Sequence, residues 1–151
     1  MPVLKIKTKP YSDDYALENV VNYVLRWGCS CGGYAVDPNY ADEQTMMVKD
    51  IWGKNQGRRV RHFILSFAHN ERIRTEAAMR LGFQICQYYG KYQTVYAVHD
   101  DSSNLHLHFA SNTVSYVDGK MYSARYDDWY ELCGFISGLL PQHWRVTLDY
   151  E

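Results

Sequence analysis

The order of hydrophobic and polar residues along the chain predicts five β-strands. Most of them alternate apolar and polar positions, the period of two that places successive side chains on opposite faces of a sheet. In the second strand, Phe63 and Leu65 share one face, and His62 and Ile64 share the other. The predicted strands are Val3–Lys9, Val60–Phe67, Tyr92–His99, Leu105–Ser115 and Trp144–Tyr150.

Helices are predicted where apolar residues recur at spacings of three and four. The first is expected to begin at the N-cap residue Ser12 and to end at Gly28. Its apolar stripe, which predicts the buried side, consists of Ala16, Val20, Tyr23, Val24 and Trp27. Further helices are predicted over Ile73–Tyr89, from Asp127 to Leu139 and, as a short element, near Glu43–Ile51.

The connections favour an antiparallel sheet. A short polar loop joins Tyr92–His99 to Leu105–Ser115, and Asp118-Gly119 is a typical hairpin turn. Helices and strands follow one another in a mixed order along the chain, and several strands are joined by hairpins. This indicates an α+β fold, with helices packed on a mainly antiparallel central sheet. A length of 151 residues is expected to form a single domain, residues 1–151. The stretch from Gly28 to Gly57 is otherwise irregular, and irregular segments of such length are usually functional.

Composition and charge exclude several classes of protein. Hydrophobic residues make up 46% and charged residues 22%, which excludes a disordered chain. No apolar run approaches the length of about 18 residues that a membrane span needs. Met1–Pro10 lacks the apolar stretch of a signal peptide, so a cytoplasmic location is expected. The net charge is −1, but Lys54–Arg74 alone carries +5. This segment is either a basic face for nucleic acid or an ordinary solvated surface, and charge alone favours the solvated surface.

Three of the six histidines lie within ten residues of one another, at positions 99, 106 and 108. Alternation puts His106 and His108 on one face of their strand, because Leu107 between them points to the other. Matching the apolar faces of the hairpin sets Val98 opposite Leu107, and therefore His99 opposite His106. Opposed Cβ atoms are about 5 Å apart. The hairpin is thus expected to gather three imidazoles on one face, away from the core.

Three neutral imidazoles can hold a divalent metal and leave positions open for water or a phosphate oxygen. The alternative is a set of surface histidines on an exposed sheet face. Two other classes with a His-x-His pair do not fit. A cupin needs a glutamate soon after the second histidine, and Phe109–Thr113 has none; a histidine-triad hydrolase needs a third alternating histidine, where Ala110 stands.

The pattern His99-x-Asp101-x4-His106-x-His108-x3-Asn112 resembles the third motif of relaxases. Relaxases are the mobilisation nucleases of the HUH endonuclease superfamily, and the resemblance is greatest to the MobP/VirD2-like type. It covers most of the chain.

Two further motifs support the resemblance. The strand that ends in Ser66-Phe67 is similar to the second relaxase motif. The first motif is a tyrosine in an N-terminal helix, and Tyr23 occupies that place. Its rivals in this region of the sequence are Tyr15, Tyr34 and Tyr40.

The resemblance implies an enzyme that nicks and rejoins single-stranded DNA through a 5′-phosphotyrosyl intermediate. Tyr23 would be the nucleophile, and Asp101 would accept a proton or orient a histidine. The histidine trio would hold the metal, with Mg²⁺ favoured by abundance and Mn²⁺, Ni²⁺ or Zn²⁺ by affinity; Mg²⁺ or Mn²⁺ is expected. DNA or phosphate contacts would come from Ser66, His62, Arg58, Arg59 and Asn112.

The implied partners are single-stranded DNA at an origin of transfer, relaxosome accessory proteins and a coupling protein. Two alternatives stay open. A replication-initiator or transposase-type HUH nuclease usually places its tyrosine after the histidine pair, whereas Tyr23 precedes it. A DNA-binding accessory protein would keep the fold without cleaving.

Overall fold

A central six-stranded sheet is the main feature of the computed structural model, which describes residues 1–26, 30–100 and 104–151. Its strand order is β2-β4-β5-β3-β1-β6. Neighbouring strands are antiparallel except for β1 and β6, so the predicted α+β class with a mainly antiparallel sheet is confirmed. The strands are β1 Val3–Ile6, β2 Ser30–Tyr34, β3 Val60–Ser66, β4 Thr94–His99, β5 His106–Asn112 and β6 Thr147–Tyr150.

Helices cover both faces of this sheet. Those of the described residues are α1 Ala16–Leu25, α2 Ala41–Trp52, α3 Thr75–Tyr88 and α4 Asp128–Leu139, with a 3-10 turn at Pro38–Tyr40. Helices α3 and α4 bury Phe63, Leu107 and Phe109 in the larger core. Helix α1 and the start of α2 close a second core on the other face. None of the helices in these described ranges is long and apolar enough to cross a membrane.

The second core corrects one prediction, because the histidine face is not free of core packing. Val95, Ala97 and Ala110 lie on that face and pack against Val20 and Val24 of α1. On this side of the sheet the histidines lie at one end of the β4–β5 pair and the small apolar residues at the other. They leave room for a helix to lie directly on the strands.

Helix α1 differs from its prediction in its start and its buried side. It begins at Ala16 and not after Ser12, and Asp13 Oδ1 accepts a hydrogen bond from the Tyr15 amide just before it. The predicted helix end, Trp27 and Gly28, lies outside the described residues. The buried side consists of Ala16, Leu17, Val20, Val21 and Val24. Tyr23 is therefore not a core residue, and 43% of it is exposed.

The stretch predicted to be irregular contains regular structure. Strand β2 pairs with β4 at the sheet edge, and α2 is longer than the helix predicted near Glu43–Ile51. Gly32 of β2 and Gly82 of α3 both lie against the ring of Tyr96. A Cβ atom added to Gly32 would come to 2.5 Å from this ring, and one added to Gly82 to 2.7 Å. The edge strand therefore depends on a glycine that by itself gives no strand signal.

Candidate active site

The β4–β5 hairpin has the predicted register. Val98 lies opposite Leu107, and His99 lies opposite His106. The rings of His99 and His108 stack with centroids 3.9 Å apart, and His106 meets His108 edge-on at 6.1 Å. Alternation and strand pairing thus bring the three imidazoles into one cluster.

Helix α1 fixes one of these rings from above. His99 Nε2 donates a hydrogen bond of 2.8 Å to the carbonyl oxygen of Val24. In the neutral imidazole this bond places the proton on Nε2 and leaves the Nδ1 lone pair available. His99 and His108 are only 5% and 4% exposed, so helix and strands together shield them.

Burial keeps two histidines of this face neutral. It lowers the pKa of His108 to about 2, with further lowering by His99, His62 and His106. It also lowers the pKa of His62 to about 4, where Lys7 and His99 add to the effect. Both rings are therefore neutral at physiological pH, and each keeps one unprotonated nitrogen. Among the described residues, His108 Nδ1 and His62 Nε2 are buried without a hydrogen-bond partner.

Tyr23 stands over the cluster. Its ring centroid is 5.7 Å from that of His108, 5.8 Å from His62 and 6.0 Å from His99, each time edge-on. The tyrosine that the motif singled out is therefore the one that α1 brings to the histidines. Of its rivals, Tyr15 and Tyr40 are 68% and 58% exposed, and Tyr34 packs with Phe83 against the opposite core.

Two further residues, Tyr11 and Lys7, belong to this site. Tyr11 Oη and His62 Nδ1 share a hydrogen bond of 3.0 Å. Lys7 lines a cavity of about 200 Å³ together with Lys5, Tyr23 and the histidine trio. Tyr11 lies in a segment without periodicity and has a left-handed φ of 48°, so no pattern pointed to it. Alternation in the sequence places Lys7 on the same face as Lys5, and the Lys7 amide donates to the His62 carbonyl of β3.

The residues predicted to bind phosphate or accept a proton do not all lie at the histidine cluster. Ser66 is opposite His106 in the sheet register and belongs to the cluster face. Asp101 lies outside the described residues. Asn112 is at the other end of β5, where its Nδ2 donates to the Thr45 carbonyl and to Gln93 Oε1. The structure thus gives Asn112 a buried structural position away from the cluster.

The two arginines predicted to contact DNA lie in different environments. Arg58 is exposed, donates from Nη1 to the Lys9 carbonyl and lies 5.9 Å from the Tyr11 ring centroid. Arg59 is only 8% exposed, donates to the Gly57 carbonyl and pairs with Asp14. Of these two, Arg58 is the one placed beside the site with its side chain at the surface.

The donor set of the cluster fits a divalent metal by its chemistry. Within the described residues, His108 Nδ1 and the neighbouring His62 Nε2 are buried nitrogens without a hydrogen-bond partner, and imidazole nitrogens suit divalent transition metals. The three histidines do not bring one ligand nitrogen each within 4.8 Å of the others, so binding would require their rings to turn. Asp127, Asp128 and Glu131 do lie that close together, but Arg125 forms ion pairs with all three and accounts for their proximity.

Comparison with solved structures finds a protein with a similar fold. A structure described as the molecular basis of vancomycin resistance transfer in Staphylococcus aureus superposes with a TM-score of 0.53. The match has 12% sequence identity and covers 80% of this chain and 75% of that one. No curated protein matches the chain at a significant level. The α+β sheet with its helices is therefore shared with a protein of resistance transfer.

A family model makes the assignment specific. The relaxase family, described as the MobA/VirD2-like nuclease domain, matches residues 15–140. The chain belongs to this relaxase family, as the three motifs indicated. It is therefore a nuclease domain of the mobilisation class, and the matched range includes both Tyr23 and the histidine cluster.

Proposed function

We propose that residues 1–151 form one relaxase domain that nicks and rejoins a specific DNA strand, with Tyr23 as the nucleophile. The observation that carries the proposal is the position of Tyr23, which is 43% exposed and edge-on to His62, His99 and His108, with ring centroids no more than 6.0 Å apart. A nucleophile must reach both the substrate and the groups that activate it. The exposure of Tyr23 and its place beside the histidines support this role.

The reaction is a transesterification. Tyr23 Oη attacks the phosphorus, the bond to the 3′ oxygen breaks, and the strand leaves with a 3′-hydroxyl after gaining a proton. The 5′-phosphate stays on Tyr23 as a phosphotyrosyl ester. The same steps in reverse rejoin the strand, because the ester conserves the energy of the phosphodiester. A free tyrosine in water has a pKa of ~10, so a tyrosine nucleophile needs an acceptor for its proton. Asp101, two positions after His99, is our candidate for it.

His99, His106 and His108 would hold a divalent cation, Mg²⁺ or Mn²⁺. When bound, it would polarise the phosphodiester and neutralise charge that develops in the transition state. The protein contributes the placement of this site: the Val24 carbonyl accepts a hydrogen bond from His99, and strand pairing sets the backbone positions of all three histidines. Ser66 and His62 lie on the same face and are our candidates for contacts to the phosphate.

Single-stranded DNA at an origin of transfer would lie across the C-terminal end of β1, which is an inner strand between β3 and β6. Lys5 and Lys7 line the cluster cavity, where Glu151 pairs with both, and Lys9 and Arg58 flank Tyr11 beside it. This strip is basic although the net charge is −1. Relaxosome accessory proteins and a coupling protein are the further partners that we propose.

Trapping of the covalent intermediate tests the proposal. The wild type is incubated with Mn²⁺ and labelled oligonucleotides from the origin of transfer, and adducts are separated on a denaturing gel and mapped by mass spectrometry. Tyr23→Phe should abolish the adduct, whereas Tyr15→Phe, a matched and exposed tyrosine just before α1, should retain it. An adduct that maps elsewhere would move the nucleophile. A wild type that binds the strand without an adduct would support the non-cleaving accessory protein.

A further inference from the structure

Arg61 is a buried cation surrounded by aromatic rings. It lies on β3 with its side chain opposite to the histidine face, and 4% of it is exposed. Its Cζ is 3.6 Å from the ring centroid of Tyr122, 4.3 Å from that of Tyr89 and 4.4 Å from that of Trp129. A guanidinium stays charged even when buried, so these rings stabilise it through their π faces.

The hydrogen bonds of Arg61 are incomplete. Nη2 donates to Tyr89 Oη at 3.2 Å, but Nη1 is buried and has no partner within the described ranges. Among those same residues no carboxylate forms an ion pair with Arg61. Asp128, which contacts Tyr122, accepts hydrogen bonds from Tyr122 Oη and from the Arg125 amide. A buried charged donor without a partner is costly, which calls for an explanation.

A cavity of about 210 Å³ adjoins this guanidinium. Its walls combine cations with aromatic rings and, within the described part of the chain, include no carboxylate: Lys7, Arg58, Arg61, Tyr122, Trp129 and Tyr150. His62 also lines it, from the edge of the Tyr23 cluster. The cavity and the proposed cleavage site are thus adjacent and share Lys7 and His62.

We propose that this cavity, which we name the Arg61 cavity, receives one unstacked base of the DNA strand next to the cleaved phosphate. The inference rests on the proposed function, because that function brings single-stranded DNA to Lys7 and His62. Aromatic walls stack on a base, while Lys7 and Arg58 meet its phosphates. The guanidinium fork donates to two adjacent acceptors on a base edge, as in the pairing of arginine with guanine O6 and N7. Cytosine offers such a pair in N3 and O2, whereas adenine and thymine do not.

Binding of short oligonucleotides tests base recognition without cleavage. The Tyr23→Phe protein is titrated with d(TGT), d(TCT), d(TAT), d(TTT) and inorganic phosphate, and the indole N–H resonance of Trp129 is followed by NMR. Trp129→Phe assigns that resonance. We expect d(TGT) or d(TCT) to shift it with an affinity about tenfold higher than d(TAT) and d(TTT). Equal binding of all four would reduce the cavity to a phosphate site and overturn base recognition. No saturable shift with any of them would overturn the cavity as a site.

Substitution of Arg61 tests the source of the preference. Arg61→Lys keeps the charge but removes the fork, and should lose the tenfold preference while binding d(TTT) as the Tyr23→Phe parent does. Arg145→Lys, an exposed arginine outside the cavity, is the matched control. If Arg61→Lys fails to fold, the Trp129 shift in the parent protein still decides the proposal. A preference that survives in folded Arg61→Lys would contradict it. A failure of adduct formation would leave these binding results unaffected, so the two proposals can fail separately.

Discussion

The phenol ring of Tyr23 stands edge-on to the imidazole of His108, with centroids 5.7 Å apart and an angle of 65° between the planes. The two residues come from α1 and β5, which contact each other across the second core. Packing of Val20, Val21 and Val24 against the strands therefore sets the position of the phenol. The hydrophobic contacts of α1 thus determine where the candidate nucleophile on its exposed side stands.

Loss of the imidazoles should remove stabilisation by metal. Mn²⁺ should raise the melting temperature of the wild type, because a ligand that binds the folded state stabilises it by mass action. The double variant His106→Ala, His108→Ala should show no such rise in a thermal shift measurement. His143→Ala, which alters an exposed histidine away from the cluster, should respond as the wild type does. An unchanged response of the double variant would place the metal elsewhere.

The neighbouring arginines should have separate effects. Arg58→Ala should weaken binding of an oligothymidylate and reduce its salt slope by about 0.7, the value for one phosphate contact on a single strand. Arg59→Ala should instead lower the free energy of unfolding by about 2 kcal/mol, because it removes partly buried hydrogen bonds of a charged group. Fluorescence anisotropy at several salt concentrations and urea unfolding check the pair. An Arg59→Ala protein that is fully stable yet has a reduced salt slope would contradict this division.

Lys49 should make stability depend on pH. Burial, with the nearby Arg59 cation, lowers its pKa in the folded protein to about 8, whereas an unfolded lysine titrates near about 10.4. Between these values the unfolded state binds a proton that the folded state has released, so stability rises with pH. The gain is at most about 3 kcal/mol.

Urea unfolding from pH 7.5 to about 10.5 measures this effect of Lys49. The wild type should gain stability relative to Lys49→Met across the range. The exposed Lys120→Met provides the control and should follow the wild type. Parallel curves for the wild type and Lys49→Met would show that the Lys49 ammonium is not penalised by burial.

Asn112 should matter for folding and not for DNA. Its side chain donates to the Thr45 carbonyl and to Gln93 and accepts from the Val114 amide, all in a buried setting. Asn112→Ala should therefore lower the free energy of unfolding by about 2 kcal/mol, since buried partners are left unsatisfied. Oligothymidylate affinity of the folded fraction should stay unchanged, as it should for the exposed Asn55→Ala. A selective loss of DNA binding would restore the role suggested by the motif.

Strand pairing was predictable because alternation leaves little freedom. One residue of slip between Val98 and Leu107 would bury His99 in the larger core, so the register followed from the sequence. The buried side of α1 could not be predicted in the same way, because Tyr23 and Val20 both fit an apolar stripe by their spacing. Only tertiary packing decided that Leu17 and Val21 are buried and that Tyr23 is not.

Other parts of the site carried no local signal. Tyr11 reaches His62 from a segment without period, across 51 positions of sequence. Arg61 was counted among basic surface residues, because its charge predicts exposure, but an aromatic cage contributed by distant elements buries it. Strand β2, rich in glycine, gave no propensity signal and exists because β4 supplies its partner.

The ring of Tyr96 occupies the space that side chains at positions 32 and 82 would need. The three residues come from an edge strand, a helix and a central strand, yet a change at either glycine forces a change at the tyrosine. Evolution can therefore alter them only together. Relatives with a side chain at position 32 or 82 are expected to carry a smaller residue at 96, and this linked substitution should be visible when their sequences are compared.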